Sequence, residues 1–289
     1  MIVMQLAQDN QIKAILTLLA DPDERTVDLV KQTLVSIGED AVPSLLKAGE
    51  IADSRGREQL KAILDEIRLN GLEERFRHWA VPHEPSPDLE EGIFLLAEFR
   101  YSDLVVEPYR RGLDEMAQVL GQRLQGITHP GSVLEQVNRF LFREEGFHGN
   151  VQDYYDPDNS YLNRVLDRKT GIPISLSVVY LLVTRRLGLP VSGVGLPGHF
   201  ILKYESPDFS NYLDAFNQGQ ILTRGDCVRF LLNSGYEVKE DYFASVSSLE
   251  IILRMMRNLV YIYTQLEDHS RVQRLTRLIK ILDGPSNPR

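Results

Sequence analysis

Cysteine is almost absent from this chain: 289 residues contain one, Cys227. A single thiol forms no internal disulfide and no cysteine-rich zinc cluster, and it confines thiol chemistry to one position. Long apolar runs are missing as well. The longest, Val178 to Val183, is far short of the about 20 residues that cross a bilayer, and Thr184, Arg185 and Arg186 close it. Basic charge is in the minority. The 32 Lys and Arg stand against 41 Asp and Glu, and a net charge of -9 repels phosphate backbones, which disfavours nucleic acid as a partner. His78, His83, His129, His148 and His269 are scattered without ligand spacing, and there is no calcium-type loop and no phosphate-cradling glycine motif, so neither a metal nor a cofactor is expected. Met1 to Asn10 lacks the cationic start and small-residue cleavage site of a secretory leader, so the expectation is a cytoplasmic protein without membrane attachment.

What remains is an ordinary globular composition, 43% hydrophobic and 25% charged, at a length that suits about two folding units. The first 80 residues read as short amphipathic helices. Ile12, Ile15, Leu16 and Leu19 form one stripe, Val27, Val30, Leu34 and Ile37 a second, and Leu60, Ile63, Leu64 and Ile67 a third, with Asp21-Pro22-Asp23, Gly38 and Asn70-Gly71 as punctuation. Residues 81–89, with three prolines, suit a linker. Beyond them Leu113, Met116, Leu120 and Leu124 mark a helix, and Ser132-x-x-Glu135 is a capping-box start for the next. Pro173 suits the first turn of a helix running to about Leu187. Val191 to Val194, His199 to Tyr204 and Tyr212 to Phe216 then read as short antiparallel strands. From Ser247-x-x-Glu250 to Leu282 a helical hairpin closes the chain. The fold class is α+β: a helical N-terminal segment, an α+β core with a small antiparallel sheet, and a C-terminal helical hairpin.

One constellation carries chemistry. A helix starts near Pro173 and Ser175, His199 follows Gly195-Leu196-Pro197-Gly198, and Asp214 precedes a turn. A helix N-terminus, an imidazole and a carboxylate on adjacent strands are what acyl transfer uses: the helix end favours negative charge, the histidine moves the proton and the carboxylate orients the ring. The same Asp equally suits an Asx cap, and a histidine at a strand start equally suits a structural role. Tyr154, Tyr155 and Tyr161 around Asn159 either line a cleft or pack half-buried.

Asn159-Ser160-Tyr161-Leu162, Gly171-Ile172-Pro173-Ile174-Ser175-Leu176-Ser177, Arg186-Leu187-Gly188-Leu189-Pro190, Pro197-Gly198-His199-Phe200 and Asp214-x-Phe216-Asn217-x-Gly219 together resemble the SirB-type branch of the transglutaminase-like superfamily. The resemblance spans about residues 91–235. Leu253-Arg254-Met255-Met256-x-Asn258-Leu259 resembles the tetratricopeptide-like tail that follows that domain, within 247–283, and residues 18–48 resemble a HEAT-type repeat inside a helical segment over 1–80. The superfamily implies a papain-like order of Cys on a helix N-terminus, then His, then Asp. His199 and Asp214 match the second and third positions, whereas Pro173 stands where the cysteine would be and Ser175 is the nearest hydroxyl. Cys227 follows Asp214 in the chain and reads as a small packed residue.

Three readings stay open. In the first the protein is a pseudo-enzyme whose groove, with Pro173, Asn159, Tyr161 and Asn217 among its binding residues, holds a peptide or protein partner without cleaving it. In the second, Ser175, His199 and Asp214 form a working triad for acyl transfer or amide hydrolysis. In the third, His199 and Asp214 are a buried hydrogen-bonded pair with a structural role.

Overall fold

A computed structural model describes residues 12–81 and 87–284, and the chain divides into two compact units, Met1–His78 and Trp79–Arg289. The first unit is helical: α1 over 12–19, α2 (Glu24–Ile37), α3 (Val42–Ile51) and α4 (Ser54–Ala80). Asp23 caps α2 by accepting from the Arg25 N–H at 3.1 Å, and Gly38, at φ 71°, returns its own N–H to the last turn. Ile12, Ile15, Leu19, Val27, Leu34, Leu60, Ile63 and Ile67, all on the expected stripes, form one buried cluster. Asn70-Gly71 does not end the third helix as expected. α4 runs through it to Ala80 because a glycine costs a helix interior only about 1 kcal/mol, and Leu69, Leu72 and Phe76, all buried, offset that. The expected linker over 81–89 lies partly outside the described residues.

The second unit is mixed. Its helices are α5 (Leu89–Glu98), α6 (Glu107–Arg123), α7 (Pro130–Asn138), α8 (Leu162–Arg168), α9 (Pro173–Arg186), α10 (Arg224–Asn233), α11 (Ser248–Gln265) and α12 (His269–Leu282). His148–Gly149 (β1) and Thr170–Gly171 (β2) pair in parallel. Val191–Val194 (β3), Ile201–Ser206 (β4), Phe209–Asp214 (β5), Gln220–Leu222 (β6) and Ser245–Val246 (β7) form an antiparallel sheet ordered β6-β5-β4-β3-β7. α9 is the centre of the unit: residues 173–184 are all buried, and the helix packs on α6, α8, α11, β3 and β4. Val194, Leu196, Ile201, Tyr212, Cys227 and Leu231 form a second small core between the sheet and α10. α11 packs against both α12 and α5. The α+β class read from the sequence is the architecture observed.

Local departures have local causes. α7 starts at Pro130 rather than at Ser132, because the fixed φ of a first-turn proline and His129 in extended backbone set the start two residues earlier. His199 lies in a turn ahead of its strand. Gly198 takes φ 76° and the His199 N–H closes back on the Leu196 carbonyl at 3.2 Å, so β4 begins only at Ile201. β5 ends at Asp214 rather than Phe216, since the Asp214 carboxylate captures the next backbone N–H groups and turns the chain.

Candidate active site

The start of α9 shows how Ser175 is used. With Pro173 in the first turn, Ser175 is the third helical residue, and its Oγ accepts from the Ile172 N–H at 3.0 Å, as a capping side chain does. Its proton goes to the Asn159 carbonyl at 2.6 Å, with the Ile172 carbonyl at 3.1 Å. Ser175 is 1% exposed. Gly171 leaves the space for this arrangement, because a Cβ there would stand 2.6 Å from the Ser175 Oγ. Asn159 completes the local lock: its side chain donates to the Asp153 and Tyr154 carbonyls and accepts from the Asn150 amide. The residues expected to line a groove at this point therefore knit the helix start to the 150–160 turn. Tyr161 is likewise sealed, with no exposed surface and its hydroxyl 2.9 Å from that of Tyr263. Burial and the neighbouring Tyr263 push its phenol well above the ordinary value.

His199 and Asp214 come together. Nε2 of His199 lies 2.8 Å from Oδ2 of Asp214, on side chains 15% and 7% exposed. Asp214 also accepts from the Phe216 and Asn217 N–H groups through Oδ1 and from the Asn217 side chain through Oδ2 at 2.8 Å, so it is an Asx cap and an imidazole partner at once. Burial alone would raise its carboxyl; the bonds from His199 and Asn217 outweigh that and hold it below the usual carboxylate range. Asn217 thus belongs to the dyad. The hydrogen bonds of Ser175 are all to backbone, and none runs to His199. The thiol of Cys227 is buried under the sheet, and burial, helped by nearby Asp226, pushes it up to about 11, so it is not a thiolate at neutral pH.

The surroundings of His199 come from distant parts of the chain. Phe230 on α10 sits 5.5 Å from the imidazole centroid, and Tyr236 lies against Gly198. Arg254 on α11 donates through Nη2 to both the Leu196 and the His199 carbonyl, each at 2.7 Å, and so pins the turn that carries the histidine. Phe216 packs against Gly149, where a Cβ would approach its ring to 2.6 Å, and its ring centroid lies 5.9 Å from that of Tyr154. The sequence signalled none of Phe230, Tyr236 and Arg254 as site residues, since they have no common motif and only the fold of α10 and α11 brings them to the turn. A cavity of about 1140 Å³ opens elsewhere, between α6 and α8, beside Tyr101, Tyr109, Met116 and Asn163; Ser175, His199 and Asp214 do not line it.

Known proteins match this same region. Residues 107–257, which contain Pro173, Ser175, His199, Asp214 and Arg254, match the transglutaminase-like superfamily. A UPF0162 protein of Xylella fastidiosa (strain 9a5c) is 34% identical over 201 residues, covering 67% of this chain and 71% of its own length. A UPF0162 protein of Vibrio cholerae is 29% identical over 149 residues, 49% of this chain and 55% of that one. F-box only protein 21 of Homo sapiens is 31% identical over 187 residues, which is 55% of this chain but 29% of that protein. No solved structure matches. With more than half its length in that match and a His–Asp pair at the heart of it, the chain belongs to the transglutaminase-like superfamily.

Proposed function

We propose that the protein is a non-catalytic member of the SirB-type branch, a cytoplasmic binding module whose groove beside His199 and Asp214 holds a peptide or protein segment without cleaving it. HEAT-like helices over 1–80 and tetratricopeptide-like helices over 247–283 flank the domain over 91–235 and add docking surface. One observation carries the reading: the hydroxyl that would have to replace the missing cysteine spends its proton on the Asn159 carbonyl and its lone pair on the Ile172 N–H. A serine needs a base within hydrogen-bond reach to act as a nucleophile, and this one is bonded to backbone alone. The partly exposed aromatic residues Tyr154, Phe230 and Tyr236 around the histidine turn support a binding role, because aromatic rings supply large contact area and the two tyrosines add a polar hydroxyl.

A second reading, acyl transfer or amide hydrolysis by Ser175, His199 and Asp214, is favoured by the intact 2.8 Å dyad, in which Nδ1 of His199 has no protein partner among the described residues. It requires Ser175 to leave its buried bonds before each turnover. Incubating the full chain with fluorogenic peptide amides, and with a glutamine peptide plus an amine acceptor, separates the two. The binding module gives no product above the buffer rate. Turnover that disappears in both Ser175→Ala and His199→Ala variants would overturn it and install the enzyme.

A further inference from the structure

The cavity between α6 and α8 is lined by groups that the fold itself leaves unused. Pro108, Gly112, Met116 and Val119 repeat at helical spacing along α6 and line it as one row. Gly112 sits in the middle of that row, where a Cβ would meet nothing within 4 Å. An interior glycine weakens a helix relative to alanine, and no neighbour in the protein requires this one; its effect is to leave the α6 backbone open at the cavity floor. Val105 and Val119, 67% and 40% exposed, carry the apolar lining out to solvent. On α8, Asn163 is 3% exposed, and its Oδ1 is sealed without a hydrogen-bond partner. No hydrogen bond holds its amide among the described residues, so a half-turn about Cβ–Cγ brings either the oxygen or the amino group to the cavity. The charge at the rim is unbalanced. Arg100, Arg164 and Lys169 each already have a carboxylate, at 3.4, 3.3 and 2.9 Å, whereas the exposed Glu115 has no cation within ion-pair distance among the described residues.

We propose that this cavity is a second binding site, for an extended peptide segment that carries an apolar side chain and a Lys or Arg. The row from Pro108 to Val119 is about 16 Å long at about 1.5 Å per helical residue, which is the reach of about five extended residues. At about 1140 Å³ the cavity also exceeds the about 300–1,000 Å³ usual for a small ligand. Each part of the lining has a use in that complex. Gly112 lets the segment's backbone lie against α6, Met116, Val119 and Leu166 surround its apolar side chain, and Glu115 faces its cation. Asn163 meets a backbone N–H or C=O of the segment, the partner its amide lacks in the free chain. Ser175, His199 and Asp214 do not line this cavity, so the site stands whether or not the groove beside His199 binds anything.

The test reads the cavity from inside it. The full chain, carrying carbon-13 on the methyl groups of its five methionines, is titrated with pentapeptide amides built from one leucine, one lysine and alanine in every order, and with the same set in which glutamate replaces lysine. Met116 is assigned from Met116→Leu, and Met255 and Met256, buried on α11, are the internal controls. The expected result is a saturable shift of the Met116 methyl with at least one lysine peptide, about threefold or more tighter than its glutamate counterpart. That preference is expected to shrink with added salt and to vanish in Glu115→Gln. Gly112→Ala is expected to raise the thermal midpoint while weakening binding, and Gly112→Leu to abolish binding in a folded chain. Asn163→Leu removes an orphaned polar group, so it is expected to leave the fold at least as stable while costing about threefold or more in affinity. Silence of Met116 at peptide concentrations that saturate a millimolar site overturns the proposal, as does equal binding of the lysine and glutamate sets. Equally tight binding of n-hexylamine would mean a pocket for small amphiphiles and would overturn the peptide as occupant. Binding that survives Gly112→Leu but is lost in His199→Ala would place the peptides in the groove beside the dyad, against this site and in favour of the other.

Discussion

A hydroxyl has one proton, and the Ser175 proton goes to the Asn159 carbonyl. Removing the hydroxyl strands a buried carbonyl and a buried N–H, so Ser175→Ala is expected to lower unfolding stability by about 1–3 kcal/mol, measured by urea titration, while groove binding by the folded fraction stays unchanged. Asp214 makes a separate prediction with a definite sign. Its folded carboxyl titrates below the unfolded value of about 3.9, so its stabilising contribution is complete above that pH and fades as pH falls through the lower folded value. Between pH 7 and pH 3 the wild type is expected to lose stability that Asp214→Asn has already lost, so the gap between their urea midpoints narrows as the solution is acidified. A constant gap would mean that the dyad bond is not charge-assisted. The sequence offered Asp214 both as an Asx cap and as a partner for His199, and its two oxygens meet different donors: Oδ1 the Phe216 N–H, Oδ2 the His199 ring.

Among the elements, legibility followed solvent. α2 and α11 each bury one face and wet the other, so their stripes and caps could be read from spacing. α9 has no exposed face over 173–184 and left no period to read; Pro173 marked its start. α10 was not anticipated, since it shields a small cluster around Cys227 and Leu231 and keeps only those residues fully buried. The cap of α11 is the clearest test at this scale. Ser247 accepts from the Glu250 N–H at 3.2 Å while Glu250 accepts from the Ser247 N–H at 2.7 Å. Ser247→Ala is expected to cost about 1 kcal/mol, read as a lower thermal midpoint, and to loosen the helix that holds Arg254. Ser247→Asp, which keeps an acceptor, is expected to restore most of it.

At the scale of the whole molecule the two compact units invite a direct prediction. Trp79–Arg289 contains its own sheet, its own central helix and all of the residues around His199. Expressed alone, residues 79–289 are expected to give a cooperative thermal transition. A fragment without tertiary near-ultraviolet signal would show that Met1–His78 is needed for folding. The described residues contain no helix long and apolar enough to cross a membrane and no cluster of His, Cys, Asp and Glu suited to a metal ion.

By itself the sequence determined the class of the fold, the stripes that stack in the first unit, the proline start of α9, the capping box of α11 and the pairing partners His199 and Asp214. These depend on period, caps and turn chemistry, which act within a few residues. Tertiary structure alone decided where the Ser175 proton goes, that Tyr161 and Asn159 are sealed rather than lining a groove, and that Arg254 reaches the histidine turn. Each of those outcomes depends on a donor meeting an acceptor from a remote part of the chain, and local spacing carries no information about which remote groups packing brings within three ångströms or so.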